Sequence, residues 1–100
     1  MSHELVGHIT HYYEHLHVAV LALTAPIHLG EWLHIAGHTT DFVQPVISLQ
    51  IDHQPLSEAA PGQDVAFKVA DRVRPHDAVY RITSTEAREF ERTPTLDPAW

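Results

Sequence analysis

The sequence predicts an all-β fold: a small six-stranded antiparallel β-barrel, residues 1–82, followed by a short C-terminal tail, residues 83–100. Three observations carry that prediction. Apolar and polar residues alternate over brief stretches, glycine and proline punctuate the intervals between them, and no window before residue 85 holds a helical period. Closure into a barrel follows because it removes exposed strand edges, which otherwise template aggregation.

The first predicted strand covers residues 5–13, with Leu5, Gly7, Ile9, His11 and Tyr13 on one face. Residues 16–23, LHVAVLAL, carry apolar side chains on both faces, as a central strand does. Pro26 and Gly30 mark a turn, Gly30 standing where an unusual backbone angle is needed. Residues 32–37 form the third strand, with Leu33 and Ile35 inward and Trp32 and His34 outward. The fourth covers residues 46–52, with Ile47, Leu49 and Ile51 inward, and Pro45 sits at its start where a missing amide is tolerated. After a loop closed by Pro61-Gly62, residues 65–69 and 78–82 supply the last two strands. The tail is expected to be partly helical, around residues 86–92, or disordered, with Phe90 and Trp100 as its docking residues.

Composition narrows the function classes. A hundred residues make one domain with one modest core. With no cysteine, disulfides and thiolate metal sites are excluded. The start of the chain has no signal-peptide pattern and no apolar run long enough for a membrane span, so a soluble cytoplasmic protein without a membrane partner is expected. Thirteen acidic residues against six Lys and Arg disfavour naked nucleic acid as a partner. Ten histidines make the charge pH-dependent: protonating all of them moves the formal value from −7 to +3.

Several segments carry a family resemblance. These are Val6-Gly7-x-Ile9-Thr10-His11-Tyr12, Val18-Ala19-Val20, and residues 29–42, LGEWLHIAGHTTDF. Gln50-Ile51-Asp52-His53, Ala60-Pro61-Gly62 and Val73-Arg74-x-x-Asp77-x-Val79-Tyr80 complete the set. The chain resembles the small stand-alone translation elongation factor-like proteins, single barrels similar to the second domain of elongation factor Tu. A related barrel also ends some peptidases of the collagenase-like class. The resemblance covers about residues 5–82, and Glu31, His76 and His8 depart from it. It implies a translation-protein barrel that contacts RNA or the ribosome. No phosphate-binding GxxxxGK[ST] loop is present, so no nucleotide is expected.

Three constellations stand out. The corner His38, Thr39, Thr40, Asp41 and Phe42, with Trp32 and His34 beside it, is the expected contact surface for a protein or ribonucleoprotein partner. The same residue types also stabilise tight turns through local hydrogen bonds. Lys68, Arg72, Arg74 and Arg81 form the one cationic cluster and the candidate RNA or anion site. His38, Asp41 and His53 are the metal alternative; otherwise no cofactor is expected, with adventitious zinc or nickel on so many histidines. Ser48, Ser57 and Ser84 lie in no recognised nucleophile context. The expectation is therefore an acidic, histidine-rich, non-enzymatic binding module.

Overall fold

The computed structural model describes residues 3–92. Ten strands appear: β1 (Glu4–Tyr13), β2 (Val18–Leu23), β3 (Ile27–His28), β4 (Trp32–Ala36), β5 (Asp41–Pro45), β6 (Gln50–Ile51), β7 (Gln54–Pro55), β8 (Glu58–Ala59), β9 (Asp64–Lys68) and β10 (Ala78–Ile82). One helix, α1 (Ser84–Arg92), follows. Eight strands form a single sheet in the order β5-β4-β10-β1-β2-β9-β6-β7, every pairing antiparallel, while β3 and β8 pair separately. The all-β expectation holds.

The six-strand account needs correction. Of residues 46–52 only Gln50–Ile51 (β6) is strand; the longer strand lies earlier, at β5, and ends at Pro45, which has no amide to donate. Val46 still bonds Glu31 and Gly30 through its backbone, and then the chain leaves the ladder. Alternation fails with it: Leu49 is buried, while Ile47, expected inside, is 66% exposed. Along β1 the expected face also breaks. Register shifts between Leu5 and Gly7, and again between Ile9 and His11, bury Val6 beside Ile9 and turn Leu5 outward. Gly30 adopts a φ of 90°, as its turn requires.

The sheet curls nearly onto itself, but no backbone ladder closes it. Strands β5 and β9 stand five places apart, roughly 24 Å in a flat sheet. Yet the Gln44 side chain on β5 donates to the Lys68 carbonyl at 2.8 Å and accepts from the Ala70 amide at 2.7 Å. Ser48 Oγ accepts from the Lys68 amide at 3.0 Å. Two side chains thus satisfy backbone groups on which another strand would otherwise dock. Inside lies one core drawn from both ends of the sheet, with Val6, Leu21, Leu33, Ile35, Val65 and Phe67 all buried.

The helix packs outside this curl. Thr83 caps it: its Oγ1 accepts from the Glu86 amide at 3.0 Å, and Glu86 accepts from the Thr83 amide at 2.9 Å. Buried Ala87 and half-buried Phe90 then form a second small core with Val43, Ile82 and Trp32. Residues 93–100, including Trp100, lie outside the described residues, so the expectation for that part of the tail has no structural counterpart here. No helix among the described residues is long and apolar enough to cross a membrane.

Candidate functional site

The corner between β4 and β5 is a tight hairpin, closed by the Gly37 amide donating to the Thr40 carbonyl at 2.8 Å. Thr40 is buried; His38 and Thr39 are exposed. Beside the hairpin runs the 71–77 loop, held from several sides. Buried Val73 anchors it to the core, and Asp77, only 4% exposed, accepts from the Arg74 amide at 2.9 Å. The Ile9 and His76 amides bond across to Asp77 and Ile9 carbonyls at 2.9 and 2.8 Å. Gly37 is required at this junction, because a Cβ there would overlap the Asp77 carboxylate. The cost of this construction shows at His76, which sits at a φ of 77°.

Between hairpin and loop lies an open cleft of about 330 Å³, lined by Thr39, Thr40, Asp41, Phe42, Asp71, Arg72 and Arg74. Two clusters that the sequence shows separately, the corner and the cationic pair, thus share one cleft. Its two carboxylates are engaged locally: Asp41 with His34 Nε2 at 2.6 Å, and Asp71 with the Arg72 amide at 2.8 Å. Arg72 makes one exposed ion pair, with Glu14 at 3.3 Å. The Arg74 guanidinium has no ion pair or side-chain hydrogen bond among the described residues. An adjoining groove of about 380 Å³ begins on the other side of the same two arginines, with Tyr12, Val73 and Pro75 in its wall.

The remaining expected site residues go elsewhere. Trp32 and His34 are half-buried on the face that α1 occupies; the His34 ring lies 5.1 Å from that of Phe90. Lys68 is exposed on β9 and lines neither cleft. Arg81 is tied down: it donates to Glu4 at 2.9 Å, to Glu31 at 3.1 Å and to the Pro26 carbonyl at 2.7 Å. Burial pulls its pKa down, but the Glu4 hydrogen bond and the charges of Glu31 and Glu4 outweigh that and hold it above the ordinary arginine value. Among the described residues no three His, Asp or Glu side chains come together as a metal-holding group. His53 turns between β6 and β7, at a different groove from Asp41.

That groove, about 530 Å³, is one feature the sequence did not announce; Tyr13, Leu16 and Ile51 give it an apolar wall. Leu16, 62% exposed within a turn otherwise made of Glu14, His15 and His17, was its available signal. Gln44 was the other omission, legible as a single polar residue inside the apolar run 42–46.

The geometry has known counterparts. The fold matches the C-terminal domain of a protein described as a U32 peptidase of Geobacillus thermoleovorans, with a TM-score of 0.76 at 20% identity over 80% of this chain and 93% of that one. Its selenomethionine variant aligns with a TM-score of 0.74. In sequence, the chain is 32% identical over 81 residues to an uncharacterised protease of Methanocaldococcus jannaschii, covering 80% of this chain and 20% of that protein. It is also 31% identical over 83 residues to a collagenase of Porphyromonas gingivalis, covering 81% of this chain and 23% of that protein. No protein-family profile matches. The chain therefore spans about a fifth of the length of the curated relatives it matches.

These likenesses correct the expected kinship and role. They point to the C-terminal domain of collagenase-like U32 peptidases, not to the second domain of a translation elongation factor. Relatives named as protease and collagenase also overturn the reading of a non-enzymatic translation-type module. The physical reason lies in what the quoted segments encode. Gly37 must clear Asp77 and the 38–41 hairpin must turn, whatever the sheet is attached to. Such residues report a fold and leave the task open.

Proposed function

We propose that this chain serves a collagenase-like peptidase as its C-terminal type of domain, and that it holds polypeptide for that enzyme in the cleft between the 38–42 corner and the 71–77 loop. The observation carrying this is the match of four fifths of the chain to proteins named protease and collagenase, together with the fold of a U32 peptidase C-terminal domain. The cleft supports it physically: the 38–42 corner offers Thr39 and the Phe42 ring, and the pinned 71–77 loop offers cations with spare hydrogen-bonding capacity. In this reading the curled sheet works as a barrel whose seam is Gln44, and cytoplasm suits a cysteine-free chain.

The test uses the Porphyromonas gingivalis collagenase with its matching fifth removed. Adding this chain is expected to restore gelatin hydrolysis and to co-elute with the truncated enzyme on gel filtration. Neither restoration nor co-elution at tens of micromolar would contradict the reading.

A further inference from the structure

The proposed cleft has a chemical preference written into its two arginines. Arg72 and Arg74 flank buried Val73, which pins the segment to the core. The backbone under Arg74 is fixed by the Asp77 carboxylate and by the Asp77 amide donating to the Arg74 carbonyl at 3.1 Å. A guanidinium on a fixed stem gives up less freedom when it binds than one on a mobile loop. Among the described residues the Arg74 guanidinium meets no carboxylate, in a molecule with 13 acidic residues to 6 basic.

We propose that Arg72 and Arg74 form a carboxylate site, and that its ligand is a polypeptide crossing the arginine pair with an Asp or Glu side chain, or a free C-terminus, between them. This rests on the polypeptide-holding reading above and names what that site selects. Guanidinium forks match carboxylates in two parallel hydrogen bonds. Thr39 offers a hydroxyl at the same rim. Because both grooves share the two arginines, a linear ligand has room on either side of its anionic group. Phe42 in one groove and Tyr12, Val73 and Pro75 in the other receive its apolar neighbours.

A single negative charge fits better than a run of phosphates. Asp41 and Asp71 stand on the cleft wall and Glu14 touches Arg72, so a second or third anionic group would meet carboxylates. Repulsion from a chain of formal charge −7 grows with each phosphate brought within about 8 Å, the screening distance at physiological salt.

The experiment is an amide chemical-shift titration of the full chain with three alanine-based heptapeptides. The first carries a central Glu with both ends blocked; the second has Gln there, both ends blocked; the third has Gln and a free C-terminal carboxylate. Carboxylate recognition predicts that the Glu peptide, the free-terminus peptide or both shift the amides of Arg72, Arg74 and Thr39. It also predicts binding at least tenfold tighter than that of the blocked Gln peptide. Which of the two binds identifies the source of the carboxylate. Arg74→Ala is expected to abolish the preference and Arg74→Lys to keep part of it, with the spectrum otherwise unchanged. If the blocked Gln peptide binds equally well, the carboxylate proposal is wrong while the polypeptide reading survives. If no peptide shifts these amides at 5 mM, or only an RNA oligonucleotide does, both are wrong.

Discussion

Two arginine regions of this molecule have opposite fates. Arg81, near the end of β10, is enclosed by Glu4, Glu31 and the Pro26 carbonyl, with its side chain 21% exposed. Arg72 and Arg74, on the loop leading into the same strand, make one exposed ion pair among the described residues, that of Arg72 with Glu14. Only about 13 Å of strand separates Asp77 from Arg81. In sequence all three belong to one cationic cluster; in the fold one is a fastener and two are available. Charge type gives the cluster, and the number of engaged donors decides what each member does.

That contrast can be broken or sharpened by substitution. The largest effect is expected at the base of the open region. Gly37→Ala would push a methyl group into the Asp77 carboxylate and release the Arg74 amide, costing about 2–3 kcal/mol by urea denaturation. An unchanged urea midpoint would mean that Asp77 does not hold this loop. Next comes the closed region: Arg81→Ala removes the Arg81 donor from the Pro26 carbonyl and leaves Glu31 with the His28 amide. With Glu4 more than half exposed, the loss is roughly 2 kcal/mol, not the full cost of breaking a buried pair.

Gln44→Ala removes its own two bonds across the gap beyond β5, leaving the Ser48–Lys68 bond, and costs about 1–2 kcal/mol. Hydrogen exchange at the Ala70 amide should speed up first, and continued protection there would show that another group closes the seam. In the other direction, His76→Gly relieves a left-handed backbone angle and is expected to add about 0.5–1 kcal/mol, read as a rise in Tm. Smallest is Arg74→Ala, whose exposed side chain holds none of the described residues in place; Tm should stay within about 2 °C.

Much of this architecture was legible because local chemistry and global fold agree at the residues concerned. Leu33 and Ile35 alternate with Trp32 and His34 as a one-sided strand does, and Gly30 takes the backbone angle its turn demands. Where reading failed, a tertiary feature overrode the local pattern. Two register shifts in β1 break its alternation, and Pro45, expected to open a strand over residues 46–52, instead ends β5, leaving only Gln50–Ile51 of that stretch in a strand. The helix is only partly legible: its capping box, Thr83 with Glu86, is local, but its apolar partners Val43 and Trp32 are remote in sequence. For the cleft, each half was visible and their meeting was not. Nothing in the order of residues says that Thr39 and Arg74 line one hollow.

The most direct test pairs binding with stability in two variants. Arg74→Ala and Arg81→Ala are each titrated with whichever carboxylate-bearing heptapeptide the unsubstituted chain binds more tightly, and melted under the same conditions. Separation is the predicted result: Arg74→Ala loses the peptide and keeps its Tm, whereas Arg81→Ala loses stability and binds normally while folded. Equal loss of binding in both, or retained binding in Arg74→Ala, would contradict the division of labour between the two regions.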